Sequence, residues 1–141
     1  MVALGVVDRS KAKELLGDAF ERVGLPREWG IALGLTESNL DPDALNNLGP
    51  DAARGGAWGL TQITEKTARA YGYTGSMADL LKRPDVAADL SAKIAAAGNV
   101  KTIEDLGAWW NAGRRTASLL PAGHVTLTTY IPRLKAKLAE V

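Results

Sequence analysis

Apolar residues recur along this chain mostly at helical spacing. After Asp8 or Ser10 as N-cap they fall at Ala12, Leu15, Leu16, Ala19, Phe20 and Val23, with Gly24 as the stop. Pro26 opens a second helix at a position where its missing N–H costs little. That helix carries Trp29, Ile31, Leu33 and Leu35, with Gly30, Ala32 and Gly34 between them. Apolar or small on every side, it is expected to be the buried central helix, its glycines letting neighbours approach closely.

Residues 39–59, "NLDPDALNNLGPDAARGGAWG", break the pattern with two prolines, four glycines and three asparagines. They read as a long loop or short hairpin, and loops of this length in compact domains are usually functional. Thr64 then caps a short helix ending near Tyr71, and Ser76 to Lys82 allows one or two turns. Asp85 to Ala97 reads as a helix closed by Gly98, and Thr102 caps "IEDLGAWWNA", closed by Gly113. A short helix over 114–120 and a last amphipathic one carrying Ile131, Leu134 and Leu138 complete a mainly α single domain.

Composition narrows the chemistry. At 141 residues the chain can bury a substantial core. Seventeen basic against sixteen acidic side chains give no electrostatic reason to expect a nucleic-acid or anionic-membrane partner. Nothing reaches the roughly 18 consecutive apolar residues of a membrane span. The opening "MVALGVVDRSKAK" is apolar for seven residues with no basic region ahead, so it does not read as a secretory signal. With no cysteine and a lone His124, disulfides, thiolate catalysis and a multi-histidine metal site drop out. No metal or other cofactor is expected.

Glu37 ends an almost wholly apolar run. On a helix its carboxylate rests on Leu33 and the bare backbone of Gly34, surroundings that disfavour the charged form. A carboxylic acid that keeps its proton near neutral pH is what glycosidic cleavage needs as general acid. The competing reading is an ordinary exposed glutamate near a helix C-terminus.

The downstream motifs favour the first reading. "ESNLDPDAL…GGAWGLTQITEKTARAYG…WWNAG…TTYIPRL" resembles the soluble lytic transglycosylase and goose-type lysozyme families. Their Glu-Ser pair, Pro-x-Ala step, Gly-Leu-Met-Gln motif, Thr-Ala helix, Tyr-Asn-Ala-Gly motif and terminal Tyr-Val segment correspond here to six stretches in the same order. These are Glu37-Ser38, Pro42-Asp43-Ala44, Gly59-Leu60-Thr61-Gln62, Thr67-Ala68, Trp110-Asn111-Ala112-Gly113 and Tyr130-Ile131. The resemblance covers residues 28–134.

It implies a lysozyme-like fold with an N-terminal helix in 1–25, a catalytic core in 26–113 and C-terminal helices in 114–141. Its cleft would take peptidoglycan glycan strands, and the protein would act as a monomer. Glu37 aligns with the family's catalytic acid, which protonates the oxygen linking N-acetylmuramic acid to N-acetylglucosamine. The same residue then takes the proton of the muramoyl C6 hydroxyl, giving a 1,6-anhydro product. A hydrolase would instead need a second carboxylate, roughly 6.5–9.5 Å away in inverting enzymes, and Asp51 is the candidate. The plainer reading of Asp51 is a turn residue after Gly49-Pro50. A third reading, an inactive glycan-binding or structural module, would require Glu37 to be dispensable, and the intact Glu37-Ser38 pair argues against it.

Substrate contacts are implied for Ser38, Trp58, Gly59, Gln62, Tyr71, Trp110, Asn111 and Tyr130. Each has an alternative where the residue type suggests one. Gln62 would brace the loop, Trp58 would be core beneath it, and Asn111 would brace a helix end. Of the adjacent Trp109 and Trp110, about 100° apart on a helix, one should be core and the other available to the cleft. Arg114 and Arg115 would meet stem-peptide carboxylates or be a solvated basic pair, and His124 reads as surface.

Departures from the family pattern matter. Trp110 stands where relatives have a tyrosine whose hydroxyl can reach the catalytic acid, and an indole N–H only donates. Either another group orients Glu37, with Tyr130 the first candidate, or burial alone does. Thr61 replaces the family methionine, and Thr64-Glu65 a common Met-Pro. A wall-acting enzyme without an export signal suggests a phage lysin, released through holin pores or virion-mounted, or a piece of a longer exported protein.

Overall fold

The computed structural model describes residues 9–47 and 55–141. Among the described residues, seven α-helices span Arg9–Arg22 (α1), Arg27–Ser38 (α2), Glu65–Ala70 (α3), Met77–Lys82 (α4), Pro84–Ala97 (α5), Ile103–Ala112 (α6) and Ile131–Glu140 (α7). Two strands, Leu45–Asn46 (β1) and Ala57–Trp58 (β2), pair antiparallel with Leu45 opposite Trp58. A mainly helical single domain is therefore what forms, with a small hairpin following α2.

The central helix is α2. Gly30, Ile31, Ala32, Leu33, Gly34 and Thr36 are all buried, and α1 and α7 pack against it. Close approach is enforced at Gly30, where an added Cβ would lie 2.8 Å from the carbonyl oxygen of Leu16 and 2.7 Å from the Phe20 ring. A backbone oxygen cannot rotate away, so Gly30→Ala must push α1 off α2. The expected cost is about 1–3 kcal/mol, the range for overpacking a core. Denaturant unfolding reads it; unchanged stability would mean the two helices are not locked at this point.

Two apolar clusters result. Leu16, Phe20, Leu33, Leu60, Leu106 and Leu134 belong to the larger, between α1, α2, α5, α6 and α7. Ile63, Ala68, Met77, Leu80, Leu90 and Ile94 form the smaller, beneath α3 and α4. The segment from Ala57 to Ile63 joins them. At its middle Thr61, 1% exposed, sits 2.6 Å from the hydroxyl of fully buried Ser91, which in turn donates to the Ala87 carbonyl. Sharing hydroxyls is how two polar groups at a dry seam avoid the penalty of going unpaired.

Thr64 and Thr102 cap their helices as the sequence signals, and Ser76 also caps α4; each side chain accepts from the backbone N–H three residues on. Four boundaries differ. Ser10 lies inside α1 rather than capping it, and Asp8 lies outside the described residues. Pro26 stands just before α2 rather than within it. Gly98 ends α5 with φ −73°, and the left-handed turn falls to Asn99 at φ 50°. Glycine serves packing there, because a Cβ at 98 would come within 2.6 Å of the Trp109 ring. Residues 114–120 form only a 3₁₀ turn, Ala117–Leu119, whose residues bury nothing fully and so leave a helix no apolar face to pack.

Candidate active site

Glu37 occupies the last turn of α2, half-buried. Its partner comes from the far end of the chain. Residues Thr126–Tyr130 form a π-helical turn that runs directly into α7, and α7 packs along α2. There the Tyr130 hydroxyl donates a hydrogen bond to Glu37 Oε2. π-helical turns are rare and frequently sit at functional sites.

Tyr130 is a permanent donor. Its pKa is driven well above 10, first by burial, which disfavours phenolate, then by the negative charge of Glu37 and the hydrogen bond to it; Arg133 opposes these weakly. Arg133 lies one turn further along α7, and its guanidinium donates to the Thr36 carbonyl at 3.4 Å. A cation at the C-terminal end of α2 also complements the negative end of that helix's dipole.

Ser38 is turned inward. Its hydroxyl donates to the Leu60 carbonyl at 2.7 Å and accepts from the Asp41 N–H at 3.1 Å. It thus ties the end of α2 to the segment after the hairpin, beside Glu37. Gln62 uses its amide N–H groups on the carbonyls of Ala44, 3.1 Å, and Gly59, 2.9 Å. That is the loop-bracing role, held at a left-handed φ of 59°. Backbone in this region is costly for a residue with a Cβ and persists only where its surroundings insist on it. Gly59 is buried, and its N–H donates to the Ala44 carbonyl at 2.8 Å. Trp58 is half-buried over the smaller core cluster, its indole N–H on the Gly55 carbonyl at 3.0 Å. Asn111 accepts from the buried Thr126 hydroxyl at 2.7 Å, bracing α6 to the π-helical turn. Asp51 lies outside the described residues.

A cleft of about 520 Å³ opens next to this segment. Thr64, Lys66, Thr67 and Tyr71 line one side, and Trp109, Trp110 and Gly113 the other. Glu37 is not part of its lining; what connects them is the segment 60–62. Ser38 grips it at Leu60 from the Glu37 side, and the Trp110 indole donates to the Thr61 carbonyl at 3.2 Å from the cleft side.

The two tryptophans do not divide as expected. Both are half-buried and both line the cleft. Trp109 donates to the Ile94 carbonyl at 2.8 Å, so each ring is fixed by a backbone carbonyl on a different wall. The cleft reaches from α3 across to α5, wide enough to meet both faces of α6 at its C-terminal end. Arg114 and Arg115 are both exposed, and Arg115 also lies over the Trp109 ring at 5.8 Å from its centre. His124 is half-buried, and its Nδ1 accepts the Thr126 N–H, helping to shape the π-helical turn.

Geometry here offers one carboxylate gripped by a buried phenol at the end of a rigid helix, with an aromatic cleft alongside. Comparison with known families adds that residues 15–112 match the transglycosylase SLT domain. The chain belongs to this family. Peptidoglycan lytic transglycosylase activity on glycan strands is what the family implies. The match ends before Tyr130, so the donor to Glu37 comes from outside the matched stretch. It leaves the expected phage origin unsupported. No curated protein and no solved structure matches the chain.

Among the described residues, no group of three or more His, Cys, Asp or Glu side chains is placed to hold a metal ion. No helix among them is long and apolar enough to cross a membrane. Sequence reasoning passed over Thr126, Ser91 and Arg133. Thr126 and Ser91 are buried polar residues with no local signal, and only their partners, Asn111 and Thr61, stood in recognisable motifs.

Proposed function

We propose that this protein cuts the bond between N-acetylmuramic acid and N-acetylglucosamine in peptidoglycan, with Glu37 as its catalytic residue in both halves of the reaction. In the first half the Glu37 carboxylic acid gives its proton to the bridging oxygen as the bond from muramoyl C1 breaks. In the second, the C6 hydroxyl oxygen bonds to C1 and its proton passes to the Glu37 carboxylate. The enzyme returns to its starting state, no water is consumed, and the muramoyl end carries a 1,6-anhydro ring. One carboxylate suffices because the nucleophile belongs to the substrate.

The observation that carries this reading is the Tyr130–Glu37 hydrogen bond. Tyr130 is a positioning residue. By holding Oε2 it fixes the carboxyl plane, and an oriented acid is worth more than a mobile one because the reacting geometry is already set. Its raised pKa keeps the donor protonated through the pH range in which a carboxyl group titrates. Trp58, Trp110 and the cleft would contact the strand, with Ser38, Gln62 and Asn111 holding the walls in place. The site of action would be the cell wall.

The product tests the reading. Mass spectrometry of digested sacculi should show 1,6-anhydromuramoyl ends. Reducing muramoyl ends would instead indicate a hydrolase, with a second group such as Asp51 delivering water.

A further inference from the structure

Aromatic lining alone would make the cleft indifferent to what a sugar carries. Tyr71, Trp109 and Trp110 offer ring surface that packs on apolar C–H faces. Both indole N–H groups are already committed to backbone carbonyls, so the rings supply contact area and little directional recognition. Discrimination must come from the other lining groups.

Charge there is one-sided. Among the described residues, Lys66 is the only charged one in the lining, and no carboxylate accompanies it. Two further cations flank the walls: Lys93 donates to the Tyr71 carbonyl at 2.8 Å, and Arg115 lies over the Trp109 ring. The neighbouring acid, Glu65, is engaged by Arg69 at 2.9 Å. Lys66 has no ion-pair partner among the described residues. In a chain with seventeen basic and sixteen acidic side chains, this is a local concentration of positive charge.

A ligand suited to these walls has an apolar sugar face and an anionic arm. Of the two sugars in a glycan strand, only the muramoyl unit has such an arm: a lactyl ether that ends in its own carboxylate or, when amidated, continues into a stem peptide bearing carboxylates. We infer that the cleft binds the acidic substituent of a muramoyl unit, with Lys66 pairing with its carboxylate. The inference rests on the peptidoglycan reading above and adds to it a residue that selects which strands are held.

Binding to small, uncleavable probes tests it, read by intrinsic tryptophan fluorescence and calorimetry. The probes are N-acetylmuramic acid, N-acetylmuramoyl-L-alanyl-D-glutamate and a neutral N-acetylglucosamine oligomer. Lys66→Gln should weaken binding of at least one acidic probe by about three- to tenfold, the range for one partly exposed charge-assisted contact. It should leave the neutral oligomer unchanged. Lys66→Arg should restore most of the loss, and added salt should narrow the gap between wild type and Lys66→Gln. Whichever acidic probe loses more identifies lactyl or stem carboxylate as the group read. Equal binding of all three probes to wild type, or a Lys66→Gln effect that is absent or the same on every probe, would overturn the inference. Because no probe is cut, failure here is separate from failure of the cleavage reading, which the products of whole sacculi decide.

Discussion

Glu37→Gln is expected to abolish clearing of cell walls, lowering kcat by about 10²- to 10⁴-fold, the contribution of a positioned general acid. The amide has nearly the shape of the acid, and its carbonyl oxygen still accepts from the Tyr130 hydroxyl that now meets Oε2. Fold and strand binding should therefore survive, so thermal unfolding and strand affinity near wild-type values would show that the loss is chemical. What the amide lacks is a transferable proton and, afterwards, a basic oxygen to take one back. Wall clearing at the wild-type rate would exclude both the transglycosylase and the hydrolase readings.

Tyr130→Phe should have the second largest effect. The ring stays in its buried site, 8% exposed, and only the hydroxyl is lost. Hydrogen bonds to a charged partner are worth about 1.5–3 kcal/mol, so kcat should fall about ten- to a hundredfold. KM should hardly change if Tyr130 acts through Glu37 and does not touch the strand. An equal rise in KM with kcat preserved would make it a substrate contact instead.

The same variant carries a pH signature in stability. Tyr130 keeps its proton in the folded state to well above pH 10, whereas an unfolded tyrosine releases it near 10. Between those values the folded state binds more protons, so stability is complete below about pH 10 and falls as pH rises through the folded value. Phenylalanine removes that contribution. Thermal unfolding between pH 9 and 11 should fall less steeply for Tyr130→Phe than for wild type.

Much of the frame could be read from local pattern. An apolar helix with interleaved glycines announced its own burial, and hydroxyl residues at 64 and 102 marked helix starts because a cap is a contact within three residues. The hairpin was only half legible: strands of two residues are too short to show alternation. Residues 114–120 had helical composition but no apolar face, and without packing a short helix does not persist. Glu37 stood out through its neighbours. Its partner did not, since Tyr130 lies 93 positions away and meets it only because α7 packs along α2; the family resemblance alone suggested it. Pairing of both indoles with backbone carbonyls was equally hidden, as it depends on where the segment 60–62 and α5 lie around α6.

The claim beneath all of this is that a single carboxylate moves the proton both ways and water never attacks the sugar. Digesting sacculi in heavy-oxygen water and analysing the fragments by mass spectrometry tests it directly. Unlabelled 1,6-anhydromuramoyl ends are predicted, whereas reducing ends with heavy oxygen at C1 would contradict it.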